Sequence, residues 1–430
     1  MPESFDVAVV GAGPAGATVA RLLAALGHRV VLLHAEQRSR GPEVESLPPS
    51  ALGLVESLGL ADAIRGAAVA PMAGTVVAWD DGPVETSFSP PGLQLARDRL
   101  DPALRFAAVS AGAVLEERRV AKDPLDADDV GAPIVVDATG RRSAARETID
   151  AWRTLAVTGV YPDAPDDART WTEAFDRGWI WCVPSARGGR QATVMIDRFE
   201  GSTDGGLERR FEVEVARAAW TSERLGSAPP RDVHAVEISP SIARTIATPR
   251  GVRVGDAACA VDPLSSFGLK KALESARMAT VVVNTMLADS ACAAEARAAY
   301  AETVQAELAA CLSGAAAEAA RAAKRFGGPF WARRTFERPP PRPAPPPGAP
   351  ASGRLRLAPD ARIETRAVED GWIFARRPVI VCDRFPRGLR FVDGLVAVDV
   401  ARAATGGEVP DRMRRAVATL VAWGVLYAIE

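Results

Sequence analysis

The chain has 430 residues, of which 48% are hydrophobic and 25% charged, and its formal net charge is −2. This length predicts two or three domains with substantial cores, and the balanced charge gives no electrostatic footprint for nucleic acid. No stretch resembles a transmembrane helix or a signal peptide, so a cytoplasmic protein without a membrane partner is expected. Five scattered cysteines and three histidines lack metal-site spacing, which predicts no metal.

The N-terminus has the pattern of a dinucleotide-binding unit. An apolar run over residues 5–10 leads into a glycine-rich turn, a helix-compatible segment at 17–26 and a second predicted strand at 29–33. In such a turn the first glycine permits the bend, the second lets the backbone approach a pyrophosphate, and the third lets helix and strand pack closely. The turn residues predicted to bind the cofactor are Gly11, Gly13, Ala15 and Gly16.

The end of the second strand departs from the usual dinucleotide pattern. An acidic residue normally accepts from the ribose hydroxyls there, whereas this chain has His34, followed two residues later by Glu36. Glu36 is the preferred acceptor, with His34 close behind. A partly exposed loop histidine is the alternative interpretation of His34.

Three further segments follow in chain order. Glu45 to Pro49 reads Glu-Ser-Leu-Pro-Pro, and Arg97 to Asp101 reads Arg-Asp-Arg-Leu-Asp at the start of an amphipathic helical pattern. Residues 134–140 form a buried strand pattern that ends in Asp-Ala-Thr-Gly. The Arg97 segment alone is also compatible with an ordinary amphipathic helix that has arginines on its solvated face.

A strand-rich stretch over residues 151–245 contains Trp-Ile-Trp-Cys-Val-Pro at 179–184. Residues two apart in a strand point to the same side, so Trp179 and Trp181 are expected to form one aromatic face. An aromatic face is compatible both with a core strand and with a pocket for an aromatic ligand.

The segment 254–276, VGDAACAVDPLSSFGLKKALESA, predicts a second cofactor contact. Small residues after Asp256 let the backbone lie close to a ligand, and the carboxylate would accept from ribityl or ribose hydroxyls. The helix that opens after Pro263 would direct N–H groups at the flavin pyrimidine edge and stabilise negative charge on the reduced ring. The residues predicted to bind are Gly255, Asp256, Pro263, Gly268 and Leu269.

The rest of the chain predicts an Ala-rich helix from 292 to 324, a Pro-rich extended linker, and a C-terminal part with short strands and a final helix over 410–423. The Ala-rich helix is expected to pack on the flavin domain. The C-terminal part is interpreted as a small winged-helix-like module that holds a partner, and a stabilising cap is an equal alternative. The predicted boundaries are 1–150 and 246–330 for a split FAD-binding domain, 151–245 for a substrate domain, 338–352 for the linker and 353–430 for the module.

Together these motifs resemble the flavin-dependent monooxygenases of the p-hydroxybenzoate hydroxylase topology, in the branch that contains the tryptophan halogenases. The resemblance covers about residues 1–325. It implies an α/β protein with α+β elements, in which a Rossmann-like FAD domain is interrupted by the strand-rich substrate domain. It implies FAD, reduced by NAD(P)H or by a separate reductase, and O2 as co-substrate. The cofactor contacts that it adds are Glu45, Ser46, Arg97, Asp137 and Gly140.

Halogenation is disfavoured at three positions where the resemblance implies catalytic or halide-binding groups. The family's lysine follows the Glu-Ser-x-x-Pro-Pro loop, but this chain has no lysine before Lys122. The family's acid is replaced by Ser265, and the halide-side hydroxyl by Phe267. A C4a-hydroperoxide of the flavin that transfers OH to an electron-rich ring remains as the implied chemistry.

The turn Asp-Pro-Leu-Ser-Ser-Phe-Gly is most similar to flavoproteins that mature tryptophylquinone cofactors, specifically the peptidyl-tryptophan dihydroxylases that serve quinohemoprotein amine dehydrogenase. The resemblance implies dihydroxylation of a tryptophan within a small dehydrogenase subunit, and another maturation enzyme as a further partner. The acid–base residues stay unknown. The predicted pocket residues are Trp181, Ser265, Ser266 and Phe267.

Two other functions remain open from the residues alone. One is hydroxylation of a small free indole or aromatic compound, for which a closed cavity is expected. The other is a non-catalytic, FAD-bound assembly factor that docks a maturing subunit.

Overall fold

A computed structural model describes residues 5–35, 43–80, 82–127, 130–149, 152–198, 206–265, 268–335, 354–382, 409, 413–422 and 424–429. The predicted linker at 338–352 and the predicted site residues Glu36, Ser266 and Phe267 lie outside these ranges. Among the described residues, no helix is both long enough and apolar enough to cross a membrane.

The chain divides into two compact units. The larger consists of residues 1–279 and 304–338, and the smaller of residues 280–303 and 339–430. Both boundaries near residues 280 and 304 fall inside long helices, so the smaller unit includes helical residues from before the predicted linker.

The strands in the described ranges are numbered in chain order. They are β1 (Val7–Val10), β2 (Val30–His34), β3 (Val44–Leu47), β4 (Ala68–Ala78), β5 (Pro83–Ala96), β6 (Val114–Glu117), β7 (Ile134–Asp137), β8 (Arg146–Thr148), β9 (Leu155–Tyr161), β10 (Arg169–Phe175), β11 (Gly178–Pro184), β12 (Arg190–Ile196), β13 (Arg231–Glu237), β14 (Ser241–Ala243), β15 (Ala247–Thr248), β16 (Gly251–Arg253), β17 (Cys259–Ala260), β18 (Arg354–Leu357), β19 (Ala361–Asp370), β20 (Ile373–Cys382) and β21 (Leu426–Ile429).

The α-helices in the same ranges are numbered likewise. They are α1 (Pro14–Ala25), α2 (Leu52–Ser57), α3 (Ala61–Gly66), α4 (Arg97–Ser110), α5 (Gly206–Val215), α6 (Ala219–Ser222), α7 (Gly268–Ala288), α8 (Ser290–Phe326), α9 (Pro329–Ala332) and α10 (Arg414–Ala422). Short 3₁₀ turns include Gly255–Ala257 and Pro263–Ser265.

The first sheet of the larger unit has the order β15-β16-β7-β1-β2-β6. The pairs from β16 to β6 are all parallel, and β1 lies between β2 and β7 with Val10 opposite both Leu33 and Asp137. Its central strands are continuous apolar runs because parallel strands are covered on both faces. The predicted α/β class with a Rossmann-like domain is confirmed.

The second sheet is larger and mixed, with the order β13-β9-β12-β11-β10-β4-β5-β3. Strands β9 to β13 come from the stretch predicted as the substrate domain. Strands β3, β4 and β5 come from residues 44–96, which the sequence pattern assigns to the FAD domain. The second sheet therefore contains strands from outside residues 151–245. The predicted domain boundaries stay a prediction.

Helix α8 is the predicted Ala-rich helix, and residues of its second half pack against the second sheet. Ala319 and Ala322 pack in one cluster with Trp79 and with Trp179 of β11. The indole N–H of Trp79 also donates to the Glu318 carbonyl at 3.0 Å. Small side chains on the helix leave room for the large indoles, which explains the alanine bias.

The smaller unit has its own apolar core, which includes Leu355, Ile380, Val417 and Leu420. Where the sequence predicts three short strands, two long antiparallel ones form, β19 and β20. β18 pairs with β21, and α10 is the described part of the predicted final helix. The winged-helix interpretation of this unit stays a prediction.

Candidate functional site

A cavity of about 920 Å³ lies in the larger unit at the carboxyl ends of the parallel strands β1, β2, β7 and β16. Such ends are the usual ligand position in open α/β sheets. Its other side is formed by strands of the second sheet. The predicted site residues that line the cavity are Gly11, Gly13, Ala15, His34, Glu45, Ser46, Arg97, Gly140, Trp181, Gly255, Asp256, Pro263, Gly268 and Leu269.

The glycine turn after β1 shows why two of its positions exclude a side chain. Gly11 has a φ of +108°, and a Cβ added there would lie 2.3 Å from the Ala138 carbonyl oxygen. A Cβ on Gly16 would lie 1.9 Å from the Gly11 carbonyl oxygen. These residues therefore bring helix α1 close to β7, as the sequence predicts, although Gly16 does not itself line the cavity.

Gly13 has a different role, because a Cβ added there would meet nothing within 4 Å. It is the N-cap of α1, no side chain caps this end, and the first turn contains no acidic residue. The free N–H groups and the positive end of the helix dipole thus face open cavity space. This arrangement fits an anion such as a pyrophosphate.

A compact ion cluster lies on the same side of the cavity. Arg97, the first residue of α4, is ion-paired with Glu45 of β3 and with Asp101, the latter at 2.9 Å. Burial alone would lower the pKa of the Arg97 guanidinium, but the two carboxylates outweigh it and raise the pKa. Ser46 donates to the Gln94 side chain at 2.7 Å. The segments containing Glu45 and Arg97, 52 residues apart, are thereby joined at the cavity.

Asp256 lies in the 3₁₀ turn after β16, between two cations. One oxygen is 3.1 Å from Arg141 Nε, and the other is 3.7 Å from Lys271 Nζ. Burial raises the pKa of the Asp256 carboxyl, but the charges of Arg141 and Lys271 outweigh this effect and hold the pKa below its ordinary value. The carboxylate is therefore ionised and able to accept hydrogen bonds from hydroxyl groups.

Asp137, predicted to bind the cofactor, lies behind the cavity wall instead. Its side chain is fully buried, is ion-paired with Arg253, and accepts from Ser143 Oγ at 2.9 Å. Arg253 is also paired with Asp123 at 2.8 Å. This placement is a correction: the carboxylate ties the strand ends β7 and β16 together, because a buried charge requires a partner of opposite charge.

The turn before α7 is described only in part. Pro263 and Leu269 line the cavity, Ser265 ends the 3₁₀ turn, and Ser266 and Phe267 lie outside the described residues. Asp262 is buried next to this turn, and its carboxylate accepts from the Leu264 N–H at 2.9 Å. Burial raises the pKa of Asp262.

Four neighbouring strands supply the opposite side of the cavity, which we call the sheet wall. Within the register of these strands, Thr158, Thr193 and Trp181 are consecutive cross-strand neighbours, and so are Ala156, Met195 and Trp179. The hydroxyls of Thr158 and Thr193 are 3.0 Å apart. No member of the wall is charged; its residues are Ala156, Thr158, Trp179, Trp181, Thr193, Met195, Val236 and Ile238.

Sequence reasoning missed a group of cations along the cavity. Arg141 follows the Asp-Ala-Thr-Gly turn directly, a position that could have signalled a cofactor contact. The others lie on α4, after β6 or after the Asp-Ala-Thr-Gly turn, without a local pattern; they are Arg105, Arg118, Arg119, Lys122 and Arg142. In the described ranges, no cluster of His, Cys, Asp or Glu side chains could hold a metal ion.

The chain belongs to the FAD binding domain family, whose model matches residues 4–293. It is similar to the solved structure of a peptidyl tryptophan dihydroxylase, QhpG, essential for tryptophylquinone cofactor biogenesis. That similarity has a TM-score of 0.75 at 26% identity and covers 98% of this chain and 100% of that chain. The fold is also shared with the flavin-dependent halogenase CmlS, at a TM-score of 0.75 and 18% identity, over 99% of this chain and 96% of that chain.

Among proteins of known activity, a menaquinone reductase of Mycobacterium tuberculosis is 28% identical over 324 residues, which are 66% of this chain and 77% of the reductase. A tryptophan 2-halogenase of Chondromyces crocatus is 25% identical over 328 residues, 67% of this chain and 62% of the halogenase. The protein is a flavin-dependent oxidoreductase. The predictions of a flavoprotein enzyme of the monooxygenase class and of FAD as its cofactor are confirmed.

The geometry fits FAD. Gly13 leaves space for a pyrophosphate at an uncapped helix end, and Asp256 presents an ionised acceptor in the turn after β16. When bound, the flavin supplies electron transfer and the reaction with O2. The residues of the chain bind and orient it, and the aromatic sheet wall forms an uncharged surface across the cavity.

Proposed function

We propose that the protein is an FAD-dependent monooxygenase that hydroxylates, and in two rounds dihydroxylates, a tryptophan side chain within a protein substrate during tryptophylquinone biogenesis. Each round consumes O2, two electrons and two protons; one oxygen atom enters the indole ring in place of hydrogen as a hydroxyl, and the other leaves as water. The electrons come from NAD(P)H or from a separate reductase.

The observation that carries this proposal is the absence of charge on the sheet wall. An indole side chain is neutral and flat, and it packs well against Trp181 and Met195. Free tryptophan would also bring an ammonium and a carboxylate, and each charge removed from water without a partner costs several kcal/mol. A tryptophan inside a polypeptide has neither charge, so this wall favours the peptidyl substrate.

The wall has one polar point, the hydroxyl pair of Thr158 and Thr193. When one hydroxyl donates to the other, the pair still offers a free donor and free acceptor positions. It can accept from the indole N–H and donate to a hydroxyl already introduced on the ring. The same pair thus supports binding of the substrate in both rounds.

The similarity to QhpG supports the same class of substrate, because it spans 98% of this chain at 26% identity, whereas the halogenase CmlS, with the same TM-score, is only 18% identical. We propose as partner the small subunit of a quinohemoprotein amine dehydrogenase, and a second maturation enzyme that acts on the same subunit. Both partners are implied by the resemblance identified from the sequence, and the relative's role in tryptophylquinone cofactor biogenesis is compatible with them.

The test is mass spectrometry of the candidate subunit after incubation with the full chain, FAD, a reductant and O2. A gain of one or two oxygen atoms on a tryptophan is expected. A free indole or aromatic compound that gains oxygen while the subunit does not would identify a small-molecule hydroxylase instead. An assembly factor would bind the subunit, yet neither compound would gain oxygen and the flavin would not turn over.

A further inference from the structure

Two adjacent lysines at the start of α7 have opposite surroundings. Lys271 is buried, and its ammonium group donates to the carbonyl of Cys259 in β17 and lies 3.7 Å from the carboxylate of Asp256. Lys270 is more exposed and lies 3.5 Å from Glu274, one helical turn away. A lysine rarely occupies a buried position unless its charge is paired, so the surroundings of Lys271 require an explanation.

The acidic groups that face Lys271 come from two other elements. Asp256 belongs to the 3₁₀ turn after β16, and Glu307 belongs to α8. Burial raises the pKa of Glu307, and the charge of Lys271 acts in the opposite direction. Lys271 does not itself line the cavity, whereas Asp256 does. Asp256 is therefore the cavity-lining ionic partner through which the charge of Lys271 can act on a ligand.

Asp256 is in turn held from both sides. Arg141 contacts Oδ2 of Asp256, whereas Lys271 lies near Oδ1. The guanidinium of Arg141 also donates to the carbonyls of Ser239 at 3.1 Å and Val261 at 3.3 Å, which fix its position. One turn along α7 from Lys271, Ser275 accepts from the N–H of Gly255 at 3.1 Å. Two side chains of α7 thus position the turn that presents the carboxylate.

We propose that Lys271 is a positioning residue of the cofactor site, whose charge, together with Arg141, fixes the Asp256 carboxylate in the ionised form and orientation that receive the hydroxyl groups of FAD. The proposal rests on the predicted role of Asp256 in FAD binding. It does not depend on the identity of the hydroxylated substrate, so its test is separate from that of the proposed function.

The charge of Lys271 has a consequence for pH. The cations that face Asp256 are Arg141, Lys271, Arg146 and Arg97, and together they lower its pKa against the effect of burial. Removing Lys271 takes away one of these cations, so the pKa of Asp256 rises. FAD affinity that requires the carboxylate is then lost as the pH falls through the raised pKa, by up to about tenfold per pH unit below it.

The experiment compares three variants of the full chain with the wild type. Lys271→Met removes the charge and the hydrogen bond, Lys271→Gln removes the charge but retains a donor for the Cys259 carbonyl, and Lys270→Met is the matched control. The apoprotein of each is titrated with oxidised FAD from pH 8 to pH 5, with binding followed by flavin fluorescence. Thermal unfolding of each apoprotein reports the stability of the fold.

We expect both Lys271 variants to bind FAD more weakly than the wild type, with a larger loss at pH 5 than at pH 8, because the pKa of Asp256 is higher without the lysine charge. The wild type and Lys270→Met should show the same, nearly constant affinity over this range. Wild-type affinity of Lys271→Gln at every pH would overturn the proposal, because only the hydrogen bond to Cys259 would then matter. A pH-independent loss in both Lys271 variants would equally overturn it, because it would reflect altered packing. Should Lys271→Met not fold, Lys271→Gln decides alone.

Discussion

The two sides of the cavity are built from different chemistry. The side formed by the ends of the parallel strands contains glycine backbone, helix N-termini and charges such as Arg97 and Asp256. The sheet wall contains aromatic, aliphatic and hydroxyl side chains and no charge. One side can bind a charged nucleotide through backbone N–H groups and fixed ions, whereas the other presents an uncharged surface that suits a neutral ring. The difference indicates that cofactor and substrate specificity can be altered independently.

The most damaging change on the cofactor side is Asp256→Ala. It removes the acceptor and leaves Arg141 and the buried Lys271 without their shared anion. We expect complete loss of FAD through gel filtration, measured by flavin absorbance. Asp126→Ala, at an exposed position, is the control. A yellow, active Asp256→Ala protein would refute the assigned role.

Two glycine substitutions separate an effect on FAD binding from an effect on the stability of the apoprotein. Gly13→Val should abolish FAD binding with only a small decrease in the unfolding temperature of the apoprotein, since an added Cβ would meet nothing within 4 Å apart from its own chain neighbours. Gly11→Ala should also lower the unfolding temperature, because its Cβ overlaps the Ala138 carbonyl at a positive φ; a loss of more than about 1 kcal/mol is expected. Equal effects on both apoproteins would contradict this distinction.

A charge on the sheet wall should affect the substrate and leave the cofactor bound. Thr193→Asp places a carboxylate beside the position proposed for the indole, and we expect hydroxylation to fall by at least about 100-fold while FAD is retained. Thr193→Val keeps the wall apolar and removes one hydrogen-bonding group, so a loss of roughly tenfold or less is expected. Both rates are measured by product mass. Similar rates for the two variants would show that charge on this wall does not matter.

The smallest effect on FAD binding is expected when the ion pair behind the cavity wall is removed. Asp137→Asn leaves Arg253 with one of its two carboxylate partners, Asp123. The free energy of unfolding should fall by about 3 kcal/mol, measured by denaturant titration, while FAD affinity stays within a few-fold of the wild type. A variant of normal stability that fails to bind FAD would contradict this prediction and show that Asp137 contacts the cofactor.

Sequence patterns predicted the cofactor side better than the rest of the site. The Gly11 turn and the Gly255-Asp256 turn are local, so their geometry follows from neighbouring residues. Arg253 is 116 residues from Asp137, and no pattern in either strand shows that they pair. Likewise, no local pattern in residues 44–96 shows that β4 pairs with β10 of the second sheet, because this pairing joins distant parts of the chain. The pair of Trp179 and Trp181 was found because alternation along one strand is also local.

The central claim is that the uncharged wall selects a tryptophan within a polypeptide. It is tested most directly by incubating the FAD-loaded protein, a reductant and ¹⁸O2 with equal concentrations of free tryptophan and of the candidate subunit, and analysing both by mass spectrometry. The account predicts one or two ¹⁸O atoms on a tryptophan of the subunit and none on free tryptophan. Label on free tryptophan, with none on the subunit, would contradict it.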